Sequence, residues 1–196
     1  DTMFGGAGYD EMDGGSGKDR YIGGAGDDYM ISSAGKDTYI GGAGAWDHIS
    51  FANGGHSGLY SNLTTGNITD QWGNNERVSG VEILKGSLRA DEFIGNKQAN
   101  DFRGLAGDDT LDGGKGIDRV RYDRDEKHGS DNGVTVNLKK GTATDGFGDT
   151  DTLIRIENVR GSDSGDRLTG SNGKNKLEGE AGRDKLFGLG GKDTLE

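Results

Sequence analysis

The sequence predicts an all-β protein, a parallel solenoid in which two nine-residue units make one coil. Three observations predict it. One nine-residue pattern recurs four times between Gly5 and Ile40 and returns twice further on. Glycines number 40 of 196 residues. Only 29% of residues are hydrophobic while the net charge is -11, a balance that leaves a chain disordered unless something other than a large apolar core orders it. A short fixed period decides architecture ahead of any helix or strand count.

The unit reads G-G-x-G-x-D-x-U-x, with U a large apolar residue. Its first copies are Gly5-Gly6-Ala7-Gly8-Tyr9-Asp10-Glu11-Met12-Asp13 and Gly14-Gly15-Ser16-Gly17-Lys18-Asp19-Arg20-Tyr21-Ile22. Glycines at the first, second and fourth positions are expected to take positive φ and turn the chain tightly. The three residues after the aspartate form a short strand whose middle side chain faces inward, because strand side chains alternate. Met3, Tyr21 and Tyr39 then line one inner wall, and Met12, Met30 and Ile49 the other.

With two units per coil, residues eighteen apart stack about 4.8 Å from each other. Asp10 lies beneath Asp28, and Asp19 beneath Asp37. Unpaired carboxylates that close repel and raise each other's pKa, so a divalent ion between them is expected. Calcium fits, as a hard cation that takes about six to eight oxygens, some from loop carbonyls. The metal-free chain is expected to be unfolded.

In chain order, residues 1–50 form a first repeat block, 51–85 an inserted β segment, 86–121 a second block, 122–160 a second insertion and 161–196 a third block. The chain begins and ends inside a unit, which reads as a piece of a longer protein. The fifth unit carries one extra residue, so Asp47 is nineteen from Asp28 and a distorted or lost site is expected there. The later blocks hold Asp91, Asn100, Asp109 and Asp118, then Asp166, Asn175, Asp184 and Asp193, in the sixth position.

A shift of about 75 residues lays Gly58–Leu63 on Gly133–Leu138, Asp70 on Asp145 and Glu82 on Glu157, so the last two thirds of the chain is a tandem duplication. Within it, Val134–Leu138 followed by Thr142-Ala143-Thr144 reads as a hairpin or an extra rung that widens the solenoid or covers its side.

Other chemistries find little support. Cysteine is absent, so there is no disulfide framework or thiolate site. No apolar run reaches the ~18 residues of a membrane span, and no signal peptide opens the chain. The acidic balance argues against nucleic acid. Asp123-Arg124-Asp125-Glu126 begins like an EF-hand loop, but Lys127 and His128 break the pattern. His48, His56 and His128 lack metal-ligand spacing and are expected on the surface. Gly17-Lys18-Asp19 lacks the Ser/Thr of a phosphate loop, and no nucleophile elbow occurs, so no catalytic site is expected. Asp145, Asp149 and Asp151 are expected in a solvated turn rather than an extra metal site.

These repeats resemble the calcium-binding β-roll of RTX proteins, a class that gram-negative bacteria export by type I secretion. The Gly-Val-Thr-Val-Asn-Leu and Ile-Glu-Asn-Val segments also look like insertions of that class. The resemblance implies a right-handed parallel β-roll holding several Ca2+ ions, each between successive loops. It implies the ligands Asp1, Asp10, Asp19, Asp28, Asp37 and Asp47, with carbonyls of Gly5, Gly6, Ala7, Gly8, Gly14, Gly15, Ser16, Gly17, Gly23, Gly24, Ala25 and Gly26. In the second block it implies Asp91, Asn100, Asp109 and Asp118 with Gly104, Ala106, Gly107, Gly113, Gly114 and Gly116. In the third it implies Asp166, Asn175, Asp184 and Asp193 with Gly179, Ala181 and Gly182. Asn100 and Asn175 are neutral, so weaker sites are expected there.

The expected function is a calcium-dependent structural and secretion module, secreted or at the cell surface. The alternatives are an adhesive or matrix- or polysaccharide-binding module, or the C-terminal part of a secreted hydrolase whose catalytic domain lies outside this chain. Phe4, Ile22 and Ile40, eighteen apart at the ninth position, should stack as an outward apolar strip and contact an inserted segment, a neighbouring domain or a second copy. Polar residues such as Arg103, Arg121 and Glu178 hold that position later and are expected to face water.

Overall fold

A computed structural model describes residues 1–130 and 132–196, apart from the side chain of Glu126, so Glu126 of the broken EF-hand pattern lies outside the described side chains. Among the described residues the strands form two sheets, one of 13 strands and one of 9, with no α-helix and a single 3-10 turn, Asp125–His128. Successive units alternate between the sheets. Thr2–Ala7, Arg20–Ala25 and Thr38–Ala43 pair in parallel in the larger sheet, and Glu11–Asp13, Tyr29–Ile31 and His48–Ser50 do so in the smaller. This is a parallel β-roll, as the period predicts.

The inner walls are the predicted rows. Met3 pairs with Tyr21 and Tyr21 with Tyr39, while Met12, Met30 and Ile49 align opposite. Tyr21, Met30, Tyr39 and Ile49 are fully buried. Stacking Tyr21 on Tyr39, with ring centroids 4.9 Å apart, follows from the eighteen-residue register. The rows continue through Phe93 and Leu111 on one wall and Leu84, Phe102 and Val120 on the other.

Both insertions add their extra strands only to the larger sheet. Thr38–Ala43 is followed in space by Asn75–Ser79, which runs parallel to it; Asn67–Thr69 and then Tyr60–Asn62 continue as an antiparallel meander, and Tyr60–Asn62 hands over to Glu92–Ile94 in parallel. The second insertion repeats this with Thr150–Ile154, Thr142–Thr144 and Thr135–Asn137. The hairpin reading of this segment holds: two strands are added per insertion, which accounts for the unequal sheets. Ile68 and Val78, like Val136, Ala143 and Leu153, extend the apolar wall, and Ser61 is the buried polar member of the first set.

Two expectations about the outer surface change. Arg103 and Glu178 do not face water: both are buried, Arg103 because residues 123–128 fold over the outside of the smaller sheet and Glu178 among Lys176, Arg119 and Arg160. His48 is only partly a surface residue, since its Nε2 is buried. Phe4, Ile22 and Ile40 do stack in register, with Phe4 72% exposed, and the insertion continues their sheet through Ser79 rather than covering the strip.

Candidate metal centre

Each strand of a repeat unit is preceded by a loop ending in the sixth-position residue, so two ladders of carboxylates run along the roll. Strand pairing fixes their spacing. Among all the paired residues expected from the sequence, the structure sets one directly on the next. The Asp10 N–H donates to Asp28 Oδ1 at 3.0 Å and that of Asp19 to Asp37 Oδ1 at 2.8 Å. The same bond joins Asp91 to Asp109 and Asn100 to Asp118, both at 2.7 Å, and Asp166 to Asp184 and Asn175 to Asp193, both at 2.9 Å. The Asp1 nitrogen takes the same place, 2.6 Å from Asp19 Oδ1. Asp47 keeps its place despite the extra residue, accepting from Asp28 N–H at 2.9 Å. The surplus is absorbed by Ala45 and Trp46, whose N–H groups both bond Asp27 Oδ1 outside the ladder.

One carboxylate oxygen is thereby satisfied; the other is not. Oδ2 of Asp10, Asp19, Asp28, Asp47, Asp109 and Asp118 is buried without a donor. Each points into its own loop. A Cβ on Gly5 would sit 2.7 Å from Asp10 Oδ2 and 2.6 Å from the Gly23 carbonyl oxygen, which places that carbonyl and that carboxylate on one small space. Gly170 repeats the arrangement, with the Gly188 carbonyl 2.7 Å and Asn175 Oδ1 2.5 Å from the same point. This corrects the reading of the first-position glycine. Only the second and fourth positions, such as Gly6 at 108° and Gly8 at 107°, have positive φ. The first is glycine because a side chain would fill the space between the oxygens.

The donor set is acceptor-only and all oxygen, which suits a hard divalent cation and excludes the nitrogen and sulfur preferences of zinc or copper. Electrostatics agree. Burial, followed by the charges of Asp91 and Asp151, pushes Asp109 up to about 10, and burial raises Asp91 and Asp118 to about 6. Asp28, Asp37 and Asp47 are raised too, chiefly by burial. Without a cation Asp109 would hold its proton at neutral pH, and the others are shifted in the same direction.

The sites are not equivalent. Asp91 accepts from Leu59 N–H, Ser87 N–H and Ser87 Oγ–H, and Asp166 from Val134 N–H and the same two groups of Ser162, so hydrogen bonds already satisfy both. The Asn175 amide donates to the Glu157 carbonyl at 2.7 Å, and Asn100 to the Glu82 carbonyl at 3.5 Å. Loop carbonyls divide as well: that of Ala25 accepts the Gly8 N–H at 2.7 Å, whereas those of Gly23 and Gly41 line the cradles.

Four ladder members lie outside the expected set. Glu82 Oε2 accepts from Asp47 N–H at 3.2 Å and Glu157 Oε2 from Asp118 N–H at 2.8 Å, the bond an aspartate makes elsewhere. Stepping back eighteen residues from Asn100 and Asn175 reaches these glutamates, so the spacing carried a signal. Glu76 and Asp151 precede Arg77 and Thr152, which pair with Thr38 and Thr110, and so follow Asp37 and Asp109 in the other ladder. No spacing announces them. The expectation of a solvated turn fails: Asp145 and Asp151 are 2% and 1% exposed, Asp145 Oδ1 caps a turn through three backbone N–H groups, and Asp151 accepts from Asp109 N–H and Tyr122 O–H.

No helix among the described residues is long and apolar enough to cross a membrane. No curated protein matches the chain. The family of the RTX calcium-binding nonapeptide repeat matches it in four copies, over residues 1–30, 13–45, 85–120 and 160–195, leaving out the two insertions. More than half of the chain is covered, each match falling where the ladders are regular, and the chain therefore belongs to the RTX calcium-binding repeat family, whose repeats bind calcium in a β-roll.

Proposed function

We propose that the chain is a calcium-assembled structural module of a larger exported protein, kept unfolded where calcium is scarce and folded outside the cell. One observation carries this: six buried Oδ2 atoms without a donor, of which those of Asp10, Asp28, Asp47 and Asp118 share their small space with a carbonyl of the adjoining rung. Such a core of oxygens is stable only around cations, so folding and metal binding are one event. The ligands assigned are Asp10, Asp19, Asp28, Asp37, Asp47, Asp109, Asp118, Asp184 and Asp193, with first-position carbonyls of the adjoining rung; Glu76, Glu82, Asp151 and Glu157 join them where the insertions meet the blocks. Asp91 and Asp166 contribute little. Sites of the weak extracellular class, with Kd of about 10⁻⁴ to 10⁻³ M, would remain empty in a cytosol and fill outside it. The family resemblance supports export by type I secretion from a gram-negative cell.

Circular dichroism tests the reading. In chelator the chain should lack β-structure and gain it cooperatively with millimolar calcium. A β-spectrum indifferent to chelation would overturn it.

A further inference from the structure

Against a net charge of -11, one cavity is walled by cations. It lies on the outer face of the smaller sheet and encloses about 390 Å³, within the range of small organic ligands and far beyond one inorganic anion. Its floor is two stacked rows set by strand register: Tyr29, His48 and Ile83 in one, and Lys85, Arg103 and Arg121 in the other. Arg124 and Lys127, beside and within the 3-10 turn, form one wall. Tyr9 and Trp46, 68% and 41% exposed, form the opposite one.

The charges in this cavity divide into those already used and those free. Asp123 holds Arg103 at 3.0 Å and Arg121 at 2.7 Å, and Arg124 lies 3.9 Å from the same carboxylate. Asp27 and Asp28 also line the cavity, but Asp27 accepts the Ala45 and Trp46 N–H groups and Asp28 belongs to the ladder. Lys85 and Lys127 have no carboxylate within ion-pair distance among the described residues. Burial, then Arg103, holds Lys85 below its ordinary pKa, with partial relief from Asp125. His48 Nε2 is buried, faces no hydrogen-bond partner and is held edge-on by Tyr29 at 4.4 Å.

We propose that this cavity binds a uronate ring of an acidic polysaccharide, with its carboxylate between Lys85 and Lys127, a hydroxyl or carboxylate oxygen at His48 Nε2, and its C–H face on Trp46 or Tyr9. Two free ammonium groups call for an anion. The exposed aromatic rings call for a flat apolar face on the same ligand, which sulfate or phosphate does not offer and a pyranose does. This goes beyond calcium-dependent folding, since none of the free groups belongs to the ladders.

The test is isothermal titration of the calcium-loaded protein with trigalacturonate, maltotriose and sulfate. Trigalacturonate should bind once per chain, and Lys85→Met and Lys127→Met should each weaken it about tenfold, the scale of one lost charge-assisted hydrogen bond. Trp46→Ala should weaken it similarly, and maltotriose and sulfate should give no saturable heat. Calcium-induced folding of each variant, followed by circular dichroism, should match the parent, which separates loss of the cavity from loss of the roll. Unchanged affinity in both lysine variants would overturn the site, as uronate would then be held through calcium alone. Sulfate binding as strong as trigalacturonate, lost in the same variants, would overturn the sugar and leave a bare anion site.

Discussion

The two insertions share a strand plan and differ in how they finish their polar groups. Phe51 and Tyr122 hold the same place, since their N–H groups donate to the Lys85 and Arg160 carbonyls, 75 residues apart. From Phe51 the chain reaches Gly58 in seven residues; from Tyr122 it takes eleven to reach Gly133. Those four extra residues accompany the 3-10 turn that covers Arg103. The tyrosine hydroxyl also gives Asp151 a 3.0 Å donor that Phe51 cannot offer Glu76, whose carboxylate oxygens both lack one. Accordingly Glu76 is pushed up to about 9, mainly by burial and then by Asp70, and Asp151 only to about 7. A duplicated frame thus tolerates very different degrees of internal satisfaction, provided a cation can supply what hydrogen bonds do not.

The largest expected effect tests the added cover. Asp123→Ala leaves Arg103 and Arg121, among the described residues, with only the longer contacts to Asp125 at 3.8 Å and Asp101 at 3.6 Å, and should destabilise the calcium-loaded roll by about 3 kcal/mol. Ala52 stands at the matching place in the first insertion, so the loss should be specific to the second. Urea denaturation at fixed calcium measures it.

Tyr122→Phe turns the second insertion into the first at one atom. Asp151 loses a donor in the interior, with an expected cost of about 1–3 kcal/mol and a steeper calcium requirement. If stability stays unchanged, the hydroxyl is not what distinguishes the two.

A pH series sharpens the contrast next. A carboxyl whose folded pKa lies above its unfolded value disfavours the metal-free fold once ionised, and that penalty shrinks as pH falls through the folded pKa and is gone below the unfolded one. Without calcium, acidification from pH 10 to 5 should therefore promote compaction, as Glu76, Asp151, Asp91 and Asp118 take up protons near 9, 7, 6 and 6. With calcium, protons compete for the same oxygens, so the calcium midpoint should rise over that range. Glu76→Gln should blunt the upper part of the response and Asp151→Asn the middle, read by circular dichroism at each pH.

The smallest effect concerns the asparagine that follows each insertion. Asn175→Asp gives up the 2.7 Å bond to the Glu157 carbonyl, whereas Asn100→Asp gives up only a 3.5 Å contact with that of Glu82. Both should raise calcium stoichiometry, with Asn175→Asp costing more stability at low calcium by about 1 kcal/mol. Equal costs would show that the amide bond is not what ties these rungs.

Much of this was legible in the sequence because the eighteen-residue step is both a spacing and a distance. Tyr21 on Tyr39 and Asp10 on Asp28 follow from counting alone. Counting fails where the chain leaves the frame. Glu76 and Asp151 reach their ladder by way of a meander whose length is not a multiple of nine, and Arg103 is buried by a turn twenty residues later. The first-position glycine was misread for another reason: composition shows that a side chain is missing, but only the neighbouring oxygens show why.

The ladder bonds also have a direction. In every pair the N–H of the earlier rung donates and the carboxylate of the later rung accepts, so any stretch of roll has an acceptor end toward the N-terminus and a donor end toward the C-terminus. A splice into such a stack must present opposite chemistry at its two seams. Both insertions do. At the incoming seam Glu82 and Glu157 offer carboxylates to Asp47 and Asp118, and Asp151 offers one to Asp109; at the outgoing seam Leu59 and Val134 offer N–H groups to Asp91 and Asp166. Polarity of the stack thus sets a grammar for what can be grafted between rungs: a segment whose strands present an acid to the preceding rung and an apolar residue with a free N–H to the following one can be inserted, and the reverse arrangement leaves two unpaired groups at each joint.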